Sequence, residues 1–526
     1  MLSLLVVLLG LLLGFQLWKK LWGNHASLQP GPKPLPIIGN LKDLPPSDAP
    51  EYQHWLKFKD LYGPVSSVTL LGQPIILLHD RDAIRDLLVR SAKITSSRPS
   101  FAFADMCGFG ALLNLLPYNS TYRLHRQMIS KRFGTKTVAE RFKDAESIES
   151  HRFLLKALDD PANLLEHVKS EASAVILRIT YGYAIAPQGS DPLVSLIEET
   201  MDAFGLASDL LAWPVNALPF LKHIPEGLPG TSFKKTAREW GQLVYKTLNV
   251  PYNFVRQEMA KGTHIPSYVS SLIEQDKEGD GEAVALDATK EDVIKKTAAV
   301  MYGGGSDTTV ASIHAFILAM ILFPDVQKKA QKEIDTVIGS ERLPQFEDRD
   351  RLPYVNAVVN EVFRWHPVAP LAVPHKVDEE TSYKGYRIPK GAYIIGSVWW
   401  LLHDPKVYSD PSSFDPDRFL EPRNEPDPTD ANFGFGRRTC PGRYVADQTL
   451  FITVARVLAA FDLGKAVDKA GKEIEPQRVG SPGLIMRVHD FPFDIKPRSE
   501  QYVRLIRSFE TEHPQEYHTI EGLGDV

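Results

Sequence analysis

The sequence predicts a mainly α-helical protein with a minor β component, folded as one globular body. Apolar residues recur at helical spacing through most of 82–323 and again through 326–364, which is the periodicity of amphipathic or buried helices. A last helical run follows Cys440 and extends to about Phe461. No internal repeat and no long linker divides the body, so one domain is expected.

Short strands and loops lie between the helical runs. Residues 65–78 predict two apolar strands around Gly72-Gln73, and other strand-like pieces lie between 369 and 397. A loop at 212–230 carries four prolines among apolar residues, and 274–282 is acidic and predicts a solvated linker. The β structure is therefore expected at the edges of the helical body.

Composition limits the class of protein. The chain has 526 residues, of which 43% are hydrophobic and 24% charged, so it can bury a large core. Its net charge of −5 leaves no whole-chain basic footprint, and nucleic acid is not an expected partner. The two cysteines, Cys107 and Cys440, are too few for a disulfide framework and are typical of a reducing compartment. Cys107 is expected to be a small buried hydrophobe.

The N-terminus predicts a membrane anchor. Leu2 to Trp18 carries no charged side chain, and as a helix it would span roughly 25 Å of a hydrocarbon layer of ~30 Å. Lys19 and Lys20 follow it beside Trp22, and this position of the positive charge places the rest of the chain in the cytoplasm. The alternative is a cleaved signal peptide, which requires positive charge before the apolar run and a small-residue cleavage site after it.

Four segments are expected along the chain. Prolines between Gln29 and Pro36 prevent a helix and restrain φ, so this stretch is a semi-rigid spacer. The polar C-terminus is expected to be poorly ordered. The segments are an anchor at 1–22, a proline-rich hinge at 23–40, the body at 41–498 and a polar tail at 499–526.

Cys440 lies in a glycine-rich turn directly before an apolar helical run, in the segment FGFGRRTCPG at 433–442. Glycine permits positive φ and a close approach of the backbone. A thiol at a helix N-terminus meets unpaired N–H groups and the positive end of the helix dipole, which favour the thiolate. Three arginines, Arg437, Arg438 and Arg443, add positive charge. Such a loop can hold a thiolate against a flat cofactor.

This segment resembles the haem-binding signature of the cytochrome P-450 superfamily, FxxGxRxCxG. The match falls on Phe433, Gly436, Arg438, Cys440 and Gly442. The resemblance implies the cytochrome P-450 fold, a catalytic domain over the body, and a haem b cofactor with Cys440 as the axial iron ligand. In this family the thiolate pushes electron density onto the iron and favours O–O cleavage.

A run of three glycines interrupts the apolar helical stretch from Ala298 to Met320. Glycine costs about 1 kcal/mol against alanine inside a helix, so three in succession need a reason. A close helix crossing is one explanation, and access for a cofactor and oxygen is the other. The run resembles the family pattern [A/G]GxDTT at Gly304, Gly305, Asp307 and Thr308. The resemblance implies that Asp307 and Thr308 relay protons through water to bound dioxygen.

Glu361 and Arg364 share one face of a predicted helix because they are three residues apart. Alone, this spacing would describe an exposed ion pair of little energetic weight. It resembles the family's ExxR motif, and the segment 414–419 then supplies Arg418. The resemblance implies a buried structural network of Glu361, Arg364 and Arg418 behind the cysteine loop.

Haem propionates need cationic or hydrogen-bonding partners. Tyr122 to Arg126 resembles the family's WxxxR with tyrosine in place of tryptophan, which implies that Arg126 contacts a propionate. The Tyr122 phenol can still donate a hydrogen bond. His375 resembles a propionate-contacting position downstream of ExxR, with a solvated surface histidine as the alternative.

The resemblance implies a fungal microsomal monooxygenase, similar to the O-methylsterigmatocystin oxidoreductase type, with a single pass through the endoplasmic reticulum membrane. The sequence has no Rossmann fingerprint, so electrons are expected from a separate NADPH–cytochrome P-450 reductase, with cytochrome b5 as a further donor. The predicted basic docking face consists of Arg437, Arg443, Lys131 and Arg132.

A hydrophobic small molecule is the expected substrate, either a terpenoid or a polyketide of fungal secondary metabolism, with aromatic xenobiotics as the alternative. A haem-thiolate isomerase or dehydratase, or a haem protein that binds without turnover, are further alternatives. The intact Asp307–Thr308 pair and the short cysteine loop favour a monooxygenase. The apolar loop at 213–228 is expected to dip into membrane lipid, with a packed surface loop as the alternative. Family analogy predicts substrate-facing segments at 101–116, 203–211, 300–304, 368–373 and 481–484.

Overall fold

The computed structural model describes residues 28–46, 49–186, 189–209, 212–278, 288–512, 517–518 and 520. The predicted anchor at 1–22 lies outside these ranges. Among the described residues, one helix, Thr289–Leu322, is long and apolar enough to cross a bilayer, but 78% of its most apolar window is buried inside the fold. Its apolar surface is therefore explained by packing in the core.

Helices dominate the fold, as the periodicity predicts. Several begin at a side-chain cap, such as Asn119 or Asp191, and several end at a left-handed glycine, such as Gly182 or Gly262. The α-helices are α1 (Glu51–Tyr62), α2 (Arg81–Ile84), α3 (Ala92–Thr95), α4 (Ala102–Cys107), α5 (Ser120–Phe133), α6 (Lys136–Ala139), α7 (Lys143–Asp159), α8 (Leu164–Tyr181), α9 (Pro192–Ala207), α10 (Pro214–Ala217), α11 (Phe233–Lys261), α12 (Tyr268–Glu278), α13 (Ala288–Leu322), α14 (Pro324–Val337), α15 (Pro353–Trp365), α16 (Val398–His403), α17 (Thr429–Asn432), α18 (Arg443–Ala460) and α19 (Glu500–Glu512).

Shorter helical turns complete the connections. A π-helical segment, Arg85–Arg90, continues α2. The 3₁₀ turns are Leu41–Asp43, Phe109–Ala111, Glu140–Phe142, Pro161–Asn163, Pro219–His223, Phe346–Arg351, Pro416–Phe419 and Gly436–Arg438.

Three small sheets are formed by the described residues, with strand orders β1-β2-β6-β3, β4-β5 and β7-β8. The strands are β1 (Val65–Leu70), β2 (Gln73–Leu78), β3 (His375–Lys376), β4 (Thr381–Tyr383), β5 (Tyr386–Ile388), β6 (Tyr393–Gly396), β7 (Phe461–Gly464) and β8 (Asp494–Pro497). All neighbours are antiparallel except β2 and β6. β1 and β2 form the predicted hairpin, with Leu70 opposite Gln73. Its turn is Leu71-Gly72, at positive φ of 49° and 84°.

Helix α13 is the centre of the fold. In its C-terminal half, residues such as Phe316 and Leu318 are fully buried in the main apolar cluster, together with residues of α7, α8, α15 and α18. The N-terminal half belongs to a second cluster, which contains Met301 of α13 and Val445 in the first turn of α18. The glycine run of α13 and the start of α18 are therefore brought into one region.

The C-terminal segment differs from the expectation of an unstructured polar tail, because it begins with helix α19. Tyr502 and Ile506, one helical turn apart, are buried in the main core. The spacing of these two apolar side chains is the sequence signal for that helix. The predicted acidic linker at 274–282 is helical up to Glu278, where α12 ends, and its remainder lies outside the described residues.

Candidate active site

The cysteine loop connects α17 to α18 and depends on its glycines. Gly434 and Gly436 have φ values of 76° and 56°, in the left-handed region. A Cβ on Gly436 would lie 2.2 Å from the backbone oxygen of Leu88. Only glycine satisfies both the positive φ and the close backbone approach at this position.

Cys440 is a free thiol at the end of this loop. Its backbone N–H donates to the Phe433 oxygen over 2.8 Å, which closes the loop directly before α18. Burial raises the pKa of the Cys440 thiol, while the Gly442 N–H and the charges of Arg126 and Arg443 lower it. The residue is nevertheless exposed. The raised pKa and the exposed surface of Cys440 are compatible if the exposed side of the residue faces a cleft walled by protein rather than bulk solvent. In such a cleft a positively charged partner is needed to stabilise the thiolate.

Arg438 and Tyr122 hold the loop in place. Arg438 donates to the backbone oxygens of Ser96, Leu113 and Leu116 at 2.6, 3.1 and 2.5 Å. Its guanidinium lies 3.8 Å from the ring centre of Tyr122, and the Tyr122 hydroxyl donates to the Arg437 oxygen over 2.6 Å. Burial lowers the pKa of Arg438 to about 10. In this arrangement the donor groups of both side chains are directed to the backbone.

Arg126 is placed differently. It is half-buried on α5 and makes no hydrogen bond or ion pair with any residue that the structure describes. Its charge still acts on Cys440. A half-buried guanidinium without an anion is the arrangement that a bound carboxylate would complete.

His375 and Arg98 form a second buried polar pair. The His375 Nδ1–H donates to the Thr95 oxygen over 2.7 Å, because a carbonyl can only accept. Burial and the nearby charge of Arg98 hold the pKa of His375 well below its usual range, so the ring is neutral and Nε2 is an acceptor. A carboxylate brought to Nε2 would favour protonation of the ring. Arg98, which the sequence motifs do not reveal, donates to the oxygens of Val373 and Pro374, and its buried Nε has no partner among the described residues.

The three glycines of α13 have different surroundings. A Cβ on Gly303 would meet the Met201 sulfur at 2.7 Å, and one on Gly305 would meet Ile176 at the same distance. These two glycines permit close helix packing. Gly304 is exposed in the middle of a core helix, and a Cβ there would meet nothing within 4 Å. Gly304 is therefore the position that leaves open space beside the helix.

Asp307 and Thr308 follow on adjacent faces of α13. The Thr308 hydroxyl donates to the Gly304 oxygen over 2.7 Å, one turn back along the helix. The Asp307 carboxylate accepts from Arg487 Nε over 2.8 Å, and Arg487 also donates to Asp202 over 2.8 Å. No motif in the sequence points to Arg487 or Asp202 as neighbours of this site.

The charge network predicted around Glu361 is formed in the structure. Glu361, Arg364 and Arg418 are all 0% exposed, with Arg364 Nε 2.7 Å and Arg418 Nε 3.0 Å from Glu361 Oε2. Arg418 also donates to the Glu425 carboxylate over 2.7 Å, and other donors reach backbone oxygens such as those of Leu402 and Pro411. The network ties α15 to the segment 402–418, and it does not include Cys440.

The donor set fits a haem. Within the described residues no group of three or more His, Cys, Asp or Glu side chains could hold a metal ion. Cys440 would provide the thiolate. Arg126, Arg98 and His375 would provide the cationic or proton-bearing partners that propionates need.

Comparison with known proteins agrees with this site. The family model for cytochrome P-450 matches residues 29–486. Cytochrome P-450 monooxygenase CLM2 of Gibberella zeae is 50% identical over 516 residues, covering 98% of this chain and 97% of the relative. The multifunctional cytochrome P-450 monooxygenase af510 of Aspergillus fumigatus is 45% identical over 487 residues, covering 92% and 91%. O-methylsterigmatocystin oxidoreductase of Aspergillus flavus is 36% identical over 516 residues, covering 97% and 96%.

The chain belongs to the cytochrome P-450 family. It is a monooxygenase, and a haem-thiolate iron cofactor is implied by the family. The resemblance predicted from the cysteine loop, including the likeness to O-methylsterigmatocystin oxidoreductase, is confirmed.

Proposed function

We propose that this monooxygenase hydroxylates a hydrophobic small molecule in fungal secondary metabolism, with electrons from NADPH delivered by a separate reductase. The observation that carries the proposal is Cys440, a free thiol in a glycine loop at the start of α18, under the positive charge of Arg126 and Arg443. When bound there, haem b supplies the activation of dioxygen.

The chain's own residues would hold the cofactor and handle protons. Cys440 binds the iron, and Arg126, Arg98 and His375 hold the propionates. Arg438 and Tyr122 keep the loop in position through their bonds to the backbone. Through the resemblance we assign proton delivery to Asp307 and Thr308.

Substrate recognition is proposed to be apolar. Four of the five predicted substrate segments contribute to one apolar cluster, represented by Phe103, Phe204, Val300 and Leu484. Phe103 stacks there on Trp213, with ring centres 3.6 Å apart. This composition supports a hydrophobic ligand oriented by shape. The fifth segment, 368–373, contributes no residue to this cluster.

We propose that the protein binds the endoplasmic reticulum membrane, with its body in the cytoplasm. In the loop 213–228, Leu218, Phe220 and Leu228 are 46%, 61% and 51% exposed. Apolar side chains grouped in one surface loop support insertion into lipid.

Electron transfer is proposed to occur at the basic surface near the cysteine loop, from NADPH–cytochrome P-450 reductase and also from cytochrome b5. Arg437 and Lys131 are exposed, and Arg132 and Arg443 are partly so. Surface cations of this kind raise the rate of encounter with an acidic partner.

A carbon monoxide difference spectrum tests the proposal. The dithionite-reduced wild-type protein in microsomes should show a strongly red-shifted Soret band, which Cys440→Ala should lose. Reconstitution with reductase and heavy-isotope dioxygen should then give a product that carries one labelled oxygen atom. Bound haem without the red-shifted band in the wild type would show that Cys440 is not the iron ligand, and the proposal would be wrong.

A further inference from the structure

A cavity of about 220 Å³ lies beside α13, on the face that carries Asp307. Its apolar walls include Val310 and Ala311, whose small side chains leave room along that face. Besides Asp307, the titratable side chains that line it are Lys169 of α8, Glu198 and Asp202 of α9, His314 of α13, and Arg487 and Asp490 of the C-terminal segment. The cavity is large enough to hold several water molecules.

Arg487 bridges the two sides of this cavity. Its Nε donates to Asp307 and its Nη1 donates to Asp202, each over 2.8 Å. The Asp307 side chain is 12% exposed and that of Asp202 is 64% exposed, so the inner ion pair is shielded and the outer one is solvated. Burial lowers the pKa of Arg487, but the bonds and charges of the two carboxylates outweigh it and raise the pKa. The guanidinium therefore stays charged and is held at both ends.

A tight loop fixes the backbone of Arg487. The Ser481 N–H donates to the Arg487 oxygen over 2.8 Å, and the Arg487 N–H donates to Ser481 Oγ over 3.0 Å. Leu484, inside the same loop, packs on the apolar cluster that is the proposed substrate site. One loop thus supports both a substrate contact and the partner of Asp307.

We propose that Arg487 is a positioning residue, which orients the Asp307 carboxylate between the cavity and the Thr308 side of α13 for proton transfer. The inference rests on the proposed role of Asp307. A proton would pass from cavity water to an Asp307 oxygen and onward to the site, while Arg487 keeps its own protons throughout. The directional bond from Arg487 restricts the rotation of the carboxylate about its Cβ–Cγ bond, a torsion that has only a broad preference of its own.

The test uses the haem-loaded full-length protein with reductase in phosphatidylcholine vesicles, with ethoxycoumarin as the hydrophobic probe. NADPH consumption is measured in ordinary and deuterated water, together with peroxide released per NADPH. Titration with phenylimidazole, followed by absorbance, reports the shape of the site without turnover. The variants are Arg487→Gln, Arg487→Lys, Ser481→Ala and Asp307→Asn. Arg498→Gln is the matched control, since Arg498 makes an ion pair of 2.6 Å with Asp335 elsewhere on the fold.

Asp307→Asn should slow NADPH consumption by about 100-fold, the lower end of the range for a lost proton-transfer group. Arg487→Gln should slow it by about 10-fold, since the carboxylate remains but is misplaced. Both variants should raise the solvent isotope effect and the peroxide fraction. Arg487→Lys should restore part of the loss because it keeps the charge but not the planar fork. Ser481→Ala should have a smaller effect in the same direction, and Arg498→Gln should match the wild type.

Three results would overturn the inference. If Arg487→Gln matches the wild type while Asp307→Asn does not, Arg487 has no positioning role and the proposed role of Asp307 stands. If Asp307→Asn also matches the wild type, the proposed role of Asp307 fails and the inference fails with it. If Arg487→Gln weakens phenylimidazole binding, its role is only structural.

Discussion

Glu171, a carboxyl group in the core, gives a prediction about stability and pH. It is 3% exposed on α8 and accepts a hydrogen bond of 2.5 Å from the Thr453 hydroxyl of α18. Its second oxygen is buried and has no partner among the described residues. Burial raises its pKa from 4.5 to about 8, although the Thr453 hydrogen bond opposes the shift. At neutral pH the folded protein therefore holds Glu171 as a neutral acid.

The direction of the effect follows from proton counts. Below the unfolded pKa of 4.5 both the folded and the unfolded chain carry the Glu171 proton, and up to a pH of about 8 only the folded chain carries it. Over that window each pH unit lowers the free energy of unfolding by about 1.4 kcal/mol, and above it the loss levels off. Glu171→Gln removes this titration. Because the slope has fallen to half where the pH reaches the folded pKa, the variant should gain about 2.3 kcal/mol on the wild type between about pH 6 and pH 8.

Thermal unfolding of the haem-loaded protein, followed by circular dichroism at one scan rate, measures this gain. At about 2.1 cal/mol/K per residue over 526 residues, about 2.3 kcal/mol corresponds to a change of about 2 °C in the difference between the unfolding midpoints of the two proteins. Glu347→Gln makes the same chemical change at an exposed position. The difference between its midpoint and that of the wild type should be the same at about pH 6 and at about pH 8. If the unfolding midpoints of the wild type and Glu171→Gln differ by the same amount at about pH 6 and at about pH 8, the reasoning is refuted.

Three further predictions concern the site and its supports. Glu361→Gln leaves the buried Arg364 without a carboxylate and leaves Arg418 with Glu425 alone, and should cost about 3–5 kcal/mol of stability, measured by denaturant unfolding and by the yield of haem-loaded protein. Gly305→Ala forces a Cβ against Ile176 and should cost about 1–3 kcal/mol. The Cβ of Gly304→Ala meets no atom, so this variant should stabilise the helix by up to about 1 kcal/mol. Its binding of phenylimidazole should be weaker than that of the wild type. Equal effects of the two alanine substitutions on stability would contradict this distinction. Tyr122→Phe should cost about 1 kcal/mol through the lost bond to the Arg437 oxygen, with the red-shifted carbon monoxide band retained.

The fold class and the main site were predictable because their signals are local. Helical periodicity, the glycine loop before α18 and the three-residue spacing of Glu361 and Arg364 all lie within short windows, where backbone geometry relates spacing to orientation. The hairpin at 65–78 was predicted for the same reason. The polar tail was the exception: Tyr502 and Ile506 lie one helical turn apart, and their burial against distant core residues stabilises a helix where an unstructured segment was expected.

The local segments in themselves were enough to identify the family, the thiol and the members of the Glu361 network. Only the tertiary structure showed that Arg438 and Tyr122 direct their donors to the backbone and that Arg98 lies beside His375. It also paired Asp307 with Arg487, a residue 180 positions further along the chain. Contacts at such separation depend on how whole helices and loops pack, and no spacing rule within one element can encode them.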